Sequence, residues 1–370
     1  MKSIAVTPRI KEVQIINQAG PQVSSPTDVK LRMLEAGVCG TDKEICAFEY
    51  GTPPSGSEQL VIGHESLGEV IEVGPKVTRV KVGDLVVPMV RRPCAHDYCV
   101  ACRADRQDFC FTGDFQERGI KEKHGFMAQF VVDDEKYMNV VPKEMRDIAV
   151  LVEPLTIAEK GLTQVWQVQQ RLPWGCPVTP GKAALHCRRA VVLGAGPVGL
   201  LGAMALVKNE FDTYVYSREP APNPKSQLLE SIGAHYISSE TIVPEMLPQH
   251  IGNIDLVYEA TGASSLSFEM MKYLGTNGIF VFTGVPGRKG PIEVDTDLMM
   301  RNLVLKNQVV FGTVNAGRES FENSIRDLGT FTKRWPDAVK SLITGRFPMD
   351  AYSNLLLGRS GGIKNVIQLN

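Results

Sequence analysis

The hydrophobic pattern of the chain changes near residue 190, and this change predicts two kinds of domain. Before it, short apolar runs are broken by glycine and proline, as in LVIGHESLGEVIEVG, VKVGDLVVP and FMAQFVV. Runs of this kind are typical of strands in a barrel-like or folded sheet. After it, strand-like runs alternate with helical segments, and that rhythm predicts a parallel sheet with crossover helices.

The strands of this parallel sheet are predicted to be AVVLGA, DTYVYS, HYIS, IDLVYEAT, GIFVFTG and NQVVFGT. Residues 166–189 predict a helix end followed by a linker rich in proline and glycine. Beyond Thr313 the pattern returns to helices and closes on GGIKNVIQLN, whose strand is expected to rejoin the first domain. We therefore expect a β-rich domain of residues 1–187 and 313–370 and an α/β domain of residues 188–312.

Charge and hydropathy exclude several classes of partner. The chain has 40 Lys and Arg against 41 Asp and Glu, and a net charge of -1 gives no reason to expect nucleic acid. The first residues contain no apolar core of a signal peptide. Residues 190–207 are uncharged, but their glycines and Pro197 suit a strand, turn and helix better than a membrane span. We expect a cytoplasmic protein that binds neither nucleic acid nor membrane.

Cysteines are concentrated in one segment, CAHDYCVACRADRQDFC, which also contains His96. Clustered cysteines in a large chain without a secretion signal are more often metal ligands than disulfides. Cys46, Cys176 and Cys187 are isolated and are interpreted as incidental. The segment predicts a metal site with the candidate ligands Cys94, Cys99, Cys102 and Cys110.

A glycine motif marks the start of the α/β domain. VVLGAGPVG places Gly194, Gly196 and Gly199 in the G-x-G-x-x-G spacing, directly after a strand and at the start of a helix. The first glycine permits a tight turn, the second lets the backbone approach a pyrophosphate, and the third allows close packing of helix on strand. The pyrophosphate would lie at the helix N-terminus. This context predicts a dinucleotide site.

The end of the second strand indicates which dinucleotide is bound. NAD sites usually place an acidic residue there to accept a hydrogen bond from the ribose. This chain has Ser217 and Arg218, with Glu219 one position later. A hydroxyl and a guanidinium suit a 2′-phosphate. We therefore expect NADP to be preferred, with NAD still used.

Residues from separate segments predict a second metal site. Cys39 lies in AGVCGTD, His64 in VIGHESLGEV and Glu153 in LVEPLTIAEKG. Zinc in a catalytic site takes about three protein ligands and leaves one position open to substrate. A thiolate, an imidazole and a carboxylate form a suitable set, and with the nucleotide motif they point to a catalytic zinc.

The order of these motifs resembles the zinc-dependent medium-chain dehydrogenases across essentially the whole chain. Within that family, VRRPC, QDFCFTGDFQERGI, HGFMAQFVVDDEKY, VYSREP and FGTVNA are similar to the glucose 1-dehydrogenases. The resemblance implies a doubly wound Rossmann domain for residues 188–312. For the other residues it implies a discontinuous, zinc-binding GroES-like catalytic domain. It also implies a homo-oligomer, either a dimer or a tetramer.

The resemblance assigns roles around the catalytic zinc. It makes Cys39, His64 and Glu153 the ligands, with Glu65 as an alternate ligand or a neighbour that supports them. Asp42 would accept the other N–H of the zinc histidine and fix its tautomer.

The resemblance also assigns residues to substrate and cofactor. The hydroxyl of Thr41 would touch the substrate oxygen and begin a proton relay, and Glu153 would also lie against the substrate. Glu117 would bind the sugar, and Asn315 would reach both nicotinamide and sugar. The implied cofactor contacts, beyond the glycine motif and the end of the second strand, are Pro197, Val198, Thr283, Thr313 and Asn315.

In the same way the cysteine segment matches the structural-zinc lobe of the family, a closed site of thiolates without room for substrate. The usual spacing is C-x2-C-x2-C-x7-C, whereas the first gap here is x4. His96 therefore falls near the usual place of a cysteine, and the sequence leaves open whether Cys94 or His96 is a ligand.

These features predict a zinc-dependent oxidoreductase with two zinc ions per chain. It would transfer a hydride from C1 of an aldose, most simply glucose, to the nicotinamide and form a lactone. A polyol or threonine-type dehydrogenase on the same scaffold stays an alternative, since Glu153 as a ligand fits it equally well. Val90 and Ile157 depart from residues that some glucose dehydrogenases have, which leaves the exact sugar selectivity open. A non-enzymatic zinc-lobed binding module is a more distant one, and it would have no need of Cys39 and His64.

Overall fold

A computed structural model describes residues 1–173, 188–287 and 290–370. Of the segment 166–189, predicted as a helix end and a linker, residues 174–187 lie outside this part. They include Cys176, Cys187 and the boundary predicted at 187/188. The chain divides into two compact units. The first comprises Met1–Thr156, Asn315–Thr330 and Val339–Asn370, and the second comprises Ile157–Val314 and Phe331–Ala338. The predicted domain boundaries stay a prediction.

The first part of the chain is rich in short strands. These are β1 (Lys2–Thr7), β2 (Glu12–Asn17), β3 (Asp28–Gly37), β4 (Leu60–Val61), β5 (Glu65–Val73), β6 (Leu85–Pro88), β7 (Arg91–Arg92), β8 (Gln116–Arg118), β9 (Glu122–Lys123), β10 (Phe130–Asp134) and β11 (Met138–Val141). The helices of this part are α1 (Gly40–Cys46), α2 (Val100–Arg103) and α3 (Val152–Gln169).

Strands and helices then alternate. The strands are β12 (Arg189–Leu193), β13 (Asp212–Ser217), β14 (His235–Ser238), β15 (Leu256–Glu259), β16 (Ile279–Phe282), β17 (Val309–Gly312), β18 (Ile343–Pro348) and β19 (Lys364–Gln368). The helices are α4 (Pro197–Lys208), α5 (Pro224–Ser231), α6 (Leu247–Ile251), α7 (Ser264–Met271), α8 (Thr296–Leu305), α9 (Arg318–Arg334) and α10 (Pro336–Leu342).

The largest sheet of the first unit is built around β3. Its strand order is β11-β6-β5-β3-β19-β18, and β10 also pairs with β3. The first half of β3 pairs with β10, and its last residues pair with β19, so that Val366 lies opposite Gly37. Apolar side chains of these strands and of β1, such as Ile4, Leu31, Val70 and Ile367, are buried in one core. Their burial is the main force that holds this unit together.

The second unit contains the parallel sheet that the alternating pattern predicts. Its strand order is β14-β13-β12-β15-β16-β17, and every adjacent pair is parallel. The central strand β12 is buried from Ala190 to Leu193, and α4 is buried from Gly199 to Val207. Central strands of parallel sheets are covered on both faces, which explains the uncharged run of residues 190–207. The predicted fold class is confirmed.

The terminal strand predicted to rejoin the first domain is observed as β19, which lies between β3 and β18. Among the residues that the structure describes, no helix combines the length and the apolarity that a membrane span requires.

Candidate active site

Ligand atoms of a thiol, an imidazole and a carboxylate meet at one end of β5. Cys39 immediately precedes α1, His64 immediately precedes β5, and Glu65 is the first residue of β5. The side-chain ligand atoms of these three residues all lie within 4.8 Å of one another. His64 and Glu65 are buried, and Cys39 is half-buried. This arrangement matches the donor set of a zinc site with an open position.

Asp42 orients the imidazole of His64. Its Oδ1 lies 3.3 Å from Nδ1 of His64, and its Oδ2 accepts a hydrogen bond from the backbone N–H of Cys39 at 2.9 Å. Burial lowers the pKa of His64, but Asp42 and Cys39 outweigh it and raise the pKa well above its ordinary value. With Nδ1 facing Asp42, Nε2 is the nitrogen left for a metal. The role of Asp42 in fixing the tautomer of His64 stays a prediction.

A buried lysine pairs with the carboxylate of this cluster. Nζ of Lys364 lies 2.5 Å from Oε2 of Glu65 and donates to the carbonyl of Val38 at 3.2 Å. Burial lowers the pKa of Lys364, but Glu65 and Cys39 outweigh it, so the pKa lies above its usual value. Lys364 is therefore charged, and it offsets part of the negative charge of the cluster.

Glu153, the third ligand predicted from the sequence, lies near this cluster but outside its closest group. It is the second residue of α3 and is 8% exposed. Burial raises its pKa to about 7; His64 opposes the rise, and Glu65 adds to it. The carboxylate of Glu153 therefore interacts electrostatically with the thiol–imidazole–carboxylate group, in which the closest carboxylate is that of Glu65.

The cluster fits a divalent cation on its chemistry. Three buried carboxyl groups, those of Asp42, Glu65 and Glu153, lie near the half-buried thiol of Cys39, and Lys364 offsets one charge. Buried charges require a partner of opposite sign, and zinc would supply it.

Thr41, the predicted proton-relay residue, is half-buried in the first turn of α1, next to Asp42 in the sequence.

The cysteine segment forms a second cluster. The Sγ atoms of Cys94, Cys99, Cys102 and Cys110 lie within 4.8 Å of one another. His96 is outside this group, and its Nε2 lies 2.5 Å from Oδ2 of Asp114. The lengthened first gap therefore does not prevent four thiols from meeting. Burial raises the pKa of Cys110, but hydrogen bonds to Thr112 outweigh it and lower the pKa to about 6, whereas burial raises the pKa of Cys102. The lowered pKa of Cys110 favours its thiolate, which is the form that binds metal.

The predicted substrate residues Glu117 and Asn315 are in contact. Glu117 is in the middle of β8 and is 5% exposed. Nδ2 of Asn315 donates to Oε1 of Glu117 at 2.9 Å, and the backbone N–H of Ala316 donates to Oδ1 of Asn315 at 2.8 Å. One N–H of the Asn315 amide remains for a ligand.

Tyr50 was not predicted, but it lies in the same region. Burial raises its pKa and Glu117 raises it further, while Arg91 and His64 oppose the rise. The side chain is 54% exposed. The backbone of Thr52 is hydrogen-bonded to the turn between β8 and β9, which fixes the Tyr50 loop beside Glu117.

The glycine motif adopts the geometry expected of a dinucleotide turn. Gly194 follows β12 with φ 101°, and a Cβ there would lie 2.5 Å from Cγ2 of Thr261. A Cβ at Gly199 would overlap the carbonyl oxygen of Gly194. Only glycine fits these positions. Gly196 caps α4, and Pro197 and Val198 form its first turn. The N–H groups of that turn are the usual site for a pyrophosphate.

Glu259, at the end of β15, organises the loops beside this turn. Its Oε1 accepts hydrogen bonds from the N–H and the Oγ1 of Thr261, both at 2.6 Å, and from the N–H of Gly262 at 2.8 Å. Its Oε2 accepts from the N–H of Gly284 at 3.0 Å. Oγ1 of Thr283 donates to the carbonyl of Glu259. Glu259 is 1% exposed, and its hydrogen bonds join the loop after β15 to the loop after β16.

The end of β13 presents the predicted cofactor-selecting residues. Ser217 is half-buried and Arg218 is exposed. Oε1 of Glu219 lies 2.7 Å from Nζ of Lys225, so this carboxylate already has a cationic partner.

Thr313, another predicted cofactor contact, lies just beyond the end of β17. Its Oγ1 accepts a hydrogen bond from Nε2 of Gln164 at 2.8 Å.

Sequence reasoning missed Arg91, Glu259 and Lys364. Glu259 had a signal, because it ends a parallel strand at the edge where ligands bind. Arg91 lies inside the motif VRRPC, which indicated only a similarity to the glucose 1-dehydrogenases and no role for this residue. Lys364 had no signal, since a lysine that opens a terminal strand normally faces solvent.

Comparison with known families covers nearly the whole chain. Residues 25–144 match the family model of the alcohol dehydrogenase GroES-like domain, and residues 146–369 match that of the glucose dehydrogenase C-terminus. The chain is 36% identical to glucose 1-dehydrogenase of Methanocella arvoryzae, over 100% of this chain and 99% of that protein. It is 38% identical to glucose 1-dehydrogenase of Thermoproteus tenax, with the same coverage.

A solved structure is similar over the same length. The glucose dehydrogenase of Haloferax mediterranei in complex with NADP, Zn and gluconolactone superposes with a TM-score of 0.88. The two sequences are 32% identical, and the match covers 100% of this chain and 99% of that one.

Proposed function

Because the chain belongs to the zinc-dependent medium-chain dehydrogenases and to their glucose dehydrogenase family, we propose that it oxidises the C1 hydroxyl of an aldose, D-glucose above others, to the lactone. C1 loses a hydride and its hydroxyl loses a proton. When bound, zinc would lower the pKa of that hydroxyl and NADP would accept the hydride. The observation that carries this proposal is the convergence of the Cys39, His64 and Glu65 ligand atoms within 4.8 Å.

The chain's own residues would bind the metal and relay the proton. Cys39 and His64 would be ligands, with the carboxylate of Glu153 or Glu65 completing the set. Asp42 fixes the ring of His64 by its contact with Nδ1. The hydroxyl of Thr41 would accept the proton of the C1 hydroxyl and pass it towards solvent.

Glu117 and Asn315 would orient the sugar ring. A buried carboxylate and an amide already joined by a hydrogen bond offer a fixed acceptor and a fixed donor. Positioning of this kind lowers the entropic part of the barrier before chemistry begins. The complex of the Haloferax mediterranei enzyme with gluconolactone supports a sugar as the substrate.

NADP would be preferred over NAD. Ser217 and Arg218 can donate to a 2′-phosphate at the end of β13, and Lys225 neutralises Glu219 beside them. The dinucleotide would cross the carboxyl edge of the sheet at Gly194, Gly196, Pro197, Val198 and Gly199, with Thr283, Thr313 and Asn315 as further contacts. The NADP complex of the Haloferax mediterranei enzyme supports this choice.

A second zinc would be held by Cys94, Cys99, Cys102 and Cys110. Four thiolates form a closed site, so this metal would shape the loop and take no part in the reaction. These reduced cysteines, and the near-neutral charge, support a cytoplasmic enzyme whose partner is a small sugar and not a nucleic acid.

The enzyme would be a homo-oligomer through its second unit. Helix α8 contains no buried residue, and its Met300, Val304 and Leu305 are each about two-thirds exposed. Strand β17 lies at the end of the strand order of the parallel sheet, and no other described strand pairs with its outer edge. An exposed apolar helix and an open strand edge in one unit are suited to a second copy of the chain.

Steady-state assays of aldoses, polyols and threonine with both dinucleotides test the function. We expect glucose or a close aldose to give the highest kcat/KM. Higher activity on sorbitol or threonine than on every aldose would contradict the proposal and favour the alternative on the same scaffold.

A further inference from the structure

Arg91 holds the carboxylate of Glu117 through one oxygen only. The guanidinium Nε and Nη2 of Arg91 both donate to Oε1 of Glu117, at 3.0 and 2.9 Å. Arginine usually grips a carboxylate with two parallel bonds, one to each oxygen. Here both bonds end on the same atom, so the second oxygen is left for something else.

Asn315 adds a third donor to that same atom. Its Nδ2 lies 2.9 Å from Oε1 of Glu117. Three N–H groups therefore converge on Oε1, which has no capacity left for a further donor. Within the residues that the structure describes, no side chain or backbone group donates to Oε2 of Glu117.

The guanidinium that sets this pattern is itself fixed in place. Arg91 is 5% exposed, and Cζ of its guanidinium lies over the ring of Phe115, 3.7 Å from the ring centre. Its Nη1 donates to the carbonyl of Asp108 at 3.4 Å. A stacked and hydrogen-bonded arginine is preorganised, whereas a lysine offers one rotatable ammonium.

We infer that Arg91 is a positioning residue that commits Oε1 of Glu117 to the protein and presents Oε2 to one ring hydroxyl of the sugar. The inference rests on the proposed function, because it takes Glu117 as the sugar carboxylate. It makes selectivity for that hydroxyl a property of the Arg91–Glu117–Asn315 group and not of Glu117 alone.

The test measures selectivity for single hydroxyls. kcat/KM is determined for glucose and for the monodeoxyglucose series in the wild type, Glu117→Gln and Arg91→Lys. In the wild type, one deoxy sugar should lose about tenfold or more relative to glucose, since a hydrogen bond to an ionised acceptor is worth at least that factor. In both variants the penalty for that same sugar should shrink towards that for the other deoxy sugars.

A neighbouring arginine supplies the control. Arg92 is equally buried and pairs with Asp133 at 2.5 Å, so Arg92→Lys also disturbs a buried ion pair. We expect it to lower the unfolding temperature and to leave the deoxy-sugar pattern unchanged. If Arg91→Lys does not fold, Phe115→Leu, which removes the ring under the guanidinium, should weaken the same discrimination.

The outcomes separate the inference from the function. A wild type that oxidises glucose while Arg91→Lys, or Phe115→Leu in its place, keeps the full penalty overturns the inference and leaves the function standing. The same holds if Glu117→Gln keeps that penalty. A wild type that turns over no aldose overturns the proposed function, and the inference with it.

Discussion

Glu259 gathers hydrogen bonds from two loops at the carboxyl edge of the parallel sheet. In Glu259→Gln one oxygen becomes an NH2 group that faces backbone N–H donors of Thr261, Gly262 or Gly284. We expect the KM for NADP to rise about tenfold, because a lost hydrogen bond to a charged group is worth ~1.5–3 kcal/mol. The KM for the sugar should change little.

Steady-state kinetics with each substrate varied in turn measure this effect. The exposed Glu230, on α5, gives a control in Glu230→Gln. Equal increases in both KM values would mean that Glu259 supports the unit as a whole and not the cofactor loops.

Selection between the two dinucleotides depends on the end of β13. Removing the guanidinium in Arg218→Ala should lower kcat/KM for NADP by about tenfold and leave NAD nearly unchanged, since charge-assisted pairs with phosphate are strong. Ser217→Asp should reverse the preference, because a carboxylate repels a 2′-phosphate and accepts from a ribose hydroxyl.

The exposed Lys333, in the same unit, controls for general loss of positive charge through Lys333→Ala. A wild type with a clear preference for NAD would mean that Arg218 serves only as a solvated surface charge.

At the scale of elements, Asp133 ties three strands together. From β10 its Oδ2 accepts from Arg118 of β8 at 2.8 and 2.6 Å and from Arg92 of β7 at 2.5 Å. Because side chains alternate along a strand, Glu117 points to the opposite face of β8 from Arg118. The ion-pair group therefore joins β7, β8 and β10 on the face of β8 opposite the candidate sugar carboxylate.

This group predicts a pH-dependent stability. Burial alone would raise the pKa of Asp133, but Arg118 and Arg92 outweigh it and hold the pKa well below its ordinary value. A carboxyl with a lowered pKa contributes its full stability above its unfolded pKa of about 3.9, and the contribution is lost as the pH falls from that value through the much lower folded pKa. Asp133→Asn should lose ~3–5 kcal/mol near neutral pH, because two buried arginines lose their partner.

Unfolding measured by denaturant from pH 7 down to pH 2 checks this prediction. The difference between the wild type and Asp133→Asn should stay constant above about pH 5 and narrow progressively below about pH 4. Asp134→Asn, one residue along β10, should show a smaller loss, since Asp134 is a hydrogen-bond acceptor for Thr27 and Lys136 without a buried ion pair. A constant difference between wild type and Asp133→Asn at every pH would contradict the assignment.

The two candidate metal sites, one around Cys39 and one formed by the four lobe cysteines, predict different losses of metal. Purified protein should contain about two zinc ions per chain. Cys39→Ser should lose one zinc and the activity while keeping the unfolding temperature. Cys102→Ser should lose the other and lower the unfolding temperature, because the three remaining thiols no longer retain the metal that holds the loop.

Metal analysis with thermal unfolding checks both variants, and Cys46→Ser serves as a control at a buried cysteine outside both clusters. A wild type with one zinc that disappears in Cys39→Ser would mean that the cysteine lobe binds none.

The sequence predicts elements better than it predicts contacts. The apolar runs of the α/β part became β12 to β17, because buried parallel strands need continuous apolar side chains. Cys39, His64 and the four lobe cysteines could be named from their motifs. The pairing of Glu65 with Lys364 could not, since it joins residues 299 positions apart and depends on strand pairing. For the same reason the sequence could not predict that Arg91 donates two hydrogen bonds to a single oxygen of Glu117.

At the scale of the whole molecule, the exposed side of α8 predicts assembly. Val304→Glu places a charge in the apolar face proposed to contact a second copy, and a desolvated charge without a partner is costly. We expect light scattering after size exclusion to report dimers or tetramers for the wild type and smaller species for Val304→Glu. Val82→Glu, at an equally exposed apolar residue of the first unit, is the control. A wild type that is monomeric at micromolar concentration would contradict the oligomer.

The pairing of β3 with β19 has a consequence for biosynthesis. Val38, at the end of β3, and Lys364, at the start of β19, are 326 residues apart. At ordinary rates of translation the ribosome needs on the order of half a minute between them. During that time the last residues of β3 are an open strand edge on a nascent chain, and the cysteine and histidine of the candidate metal site have emerged without the lysine that later pairs with Glu65. A chaperone that binds extended segments would be expected to bind this edge until β19 has been synthesised and pairs with β3.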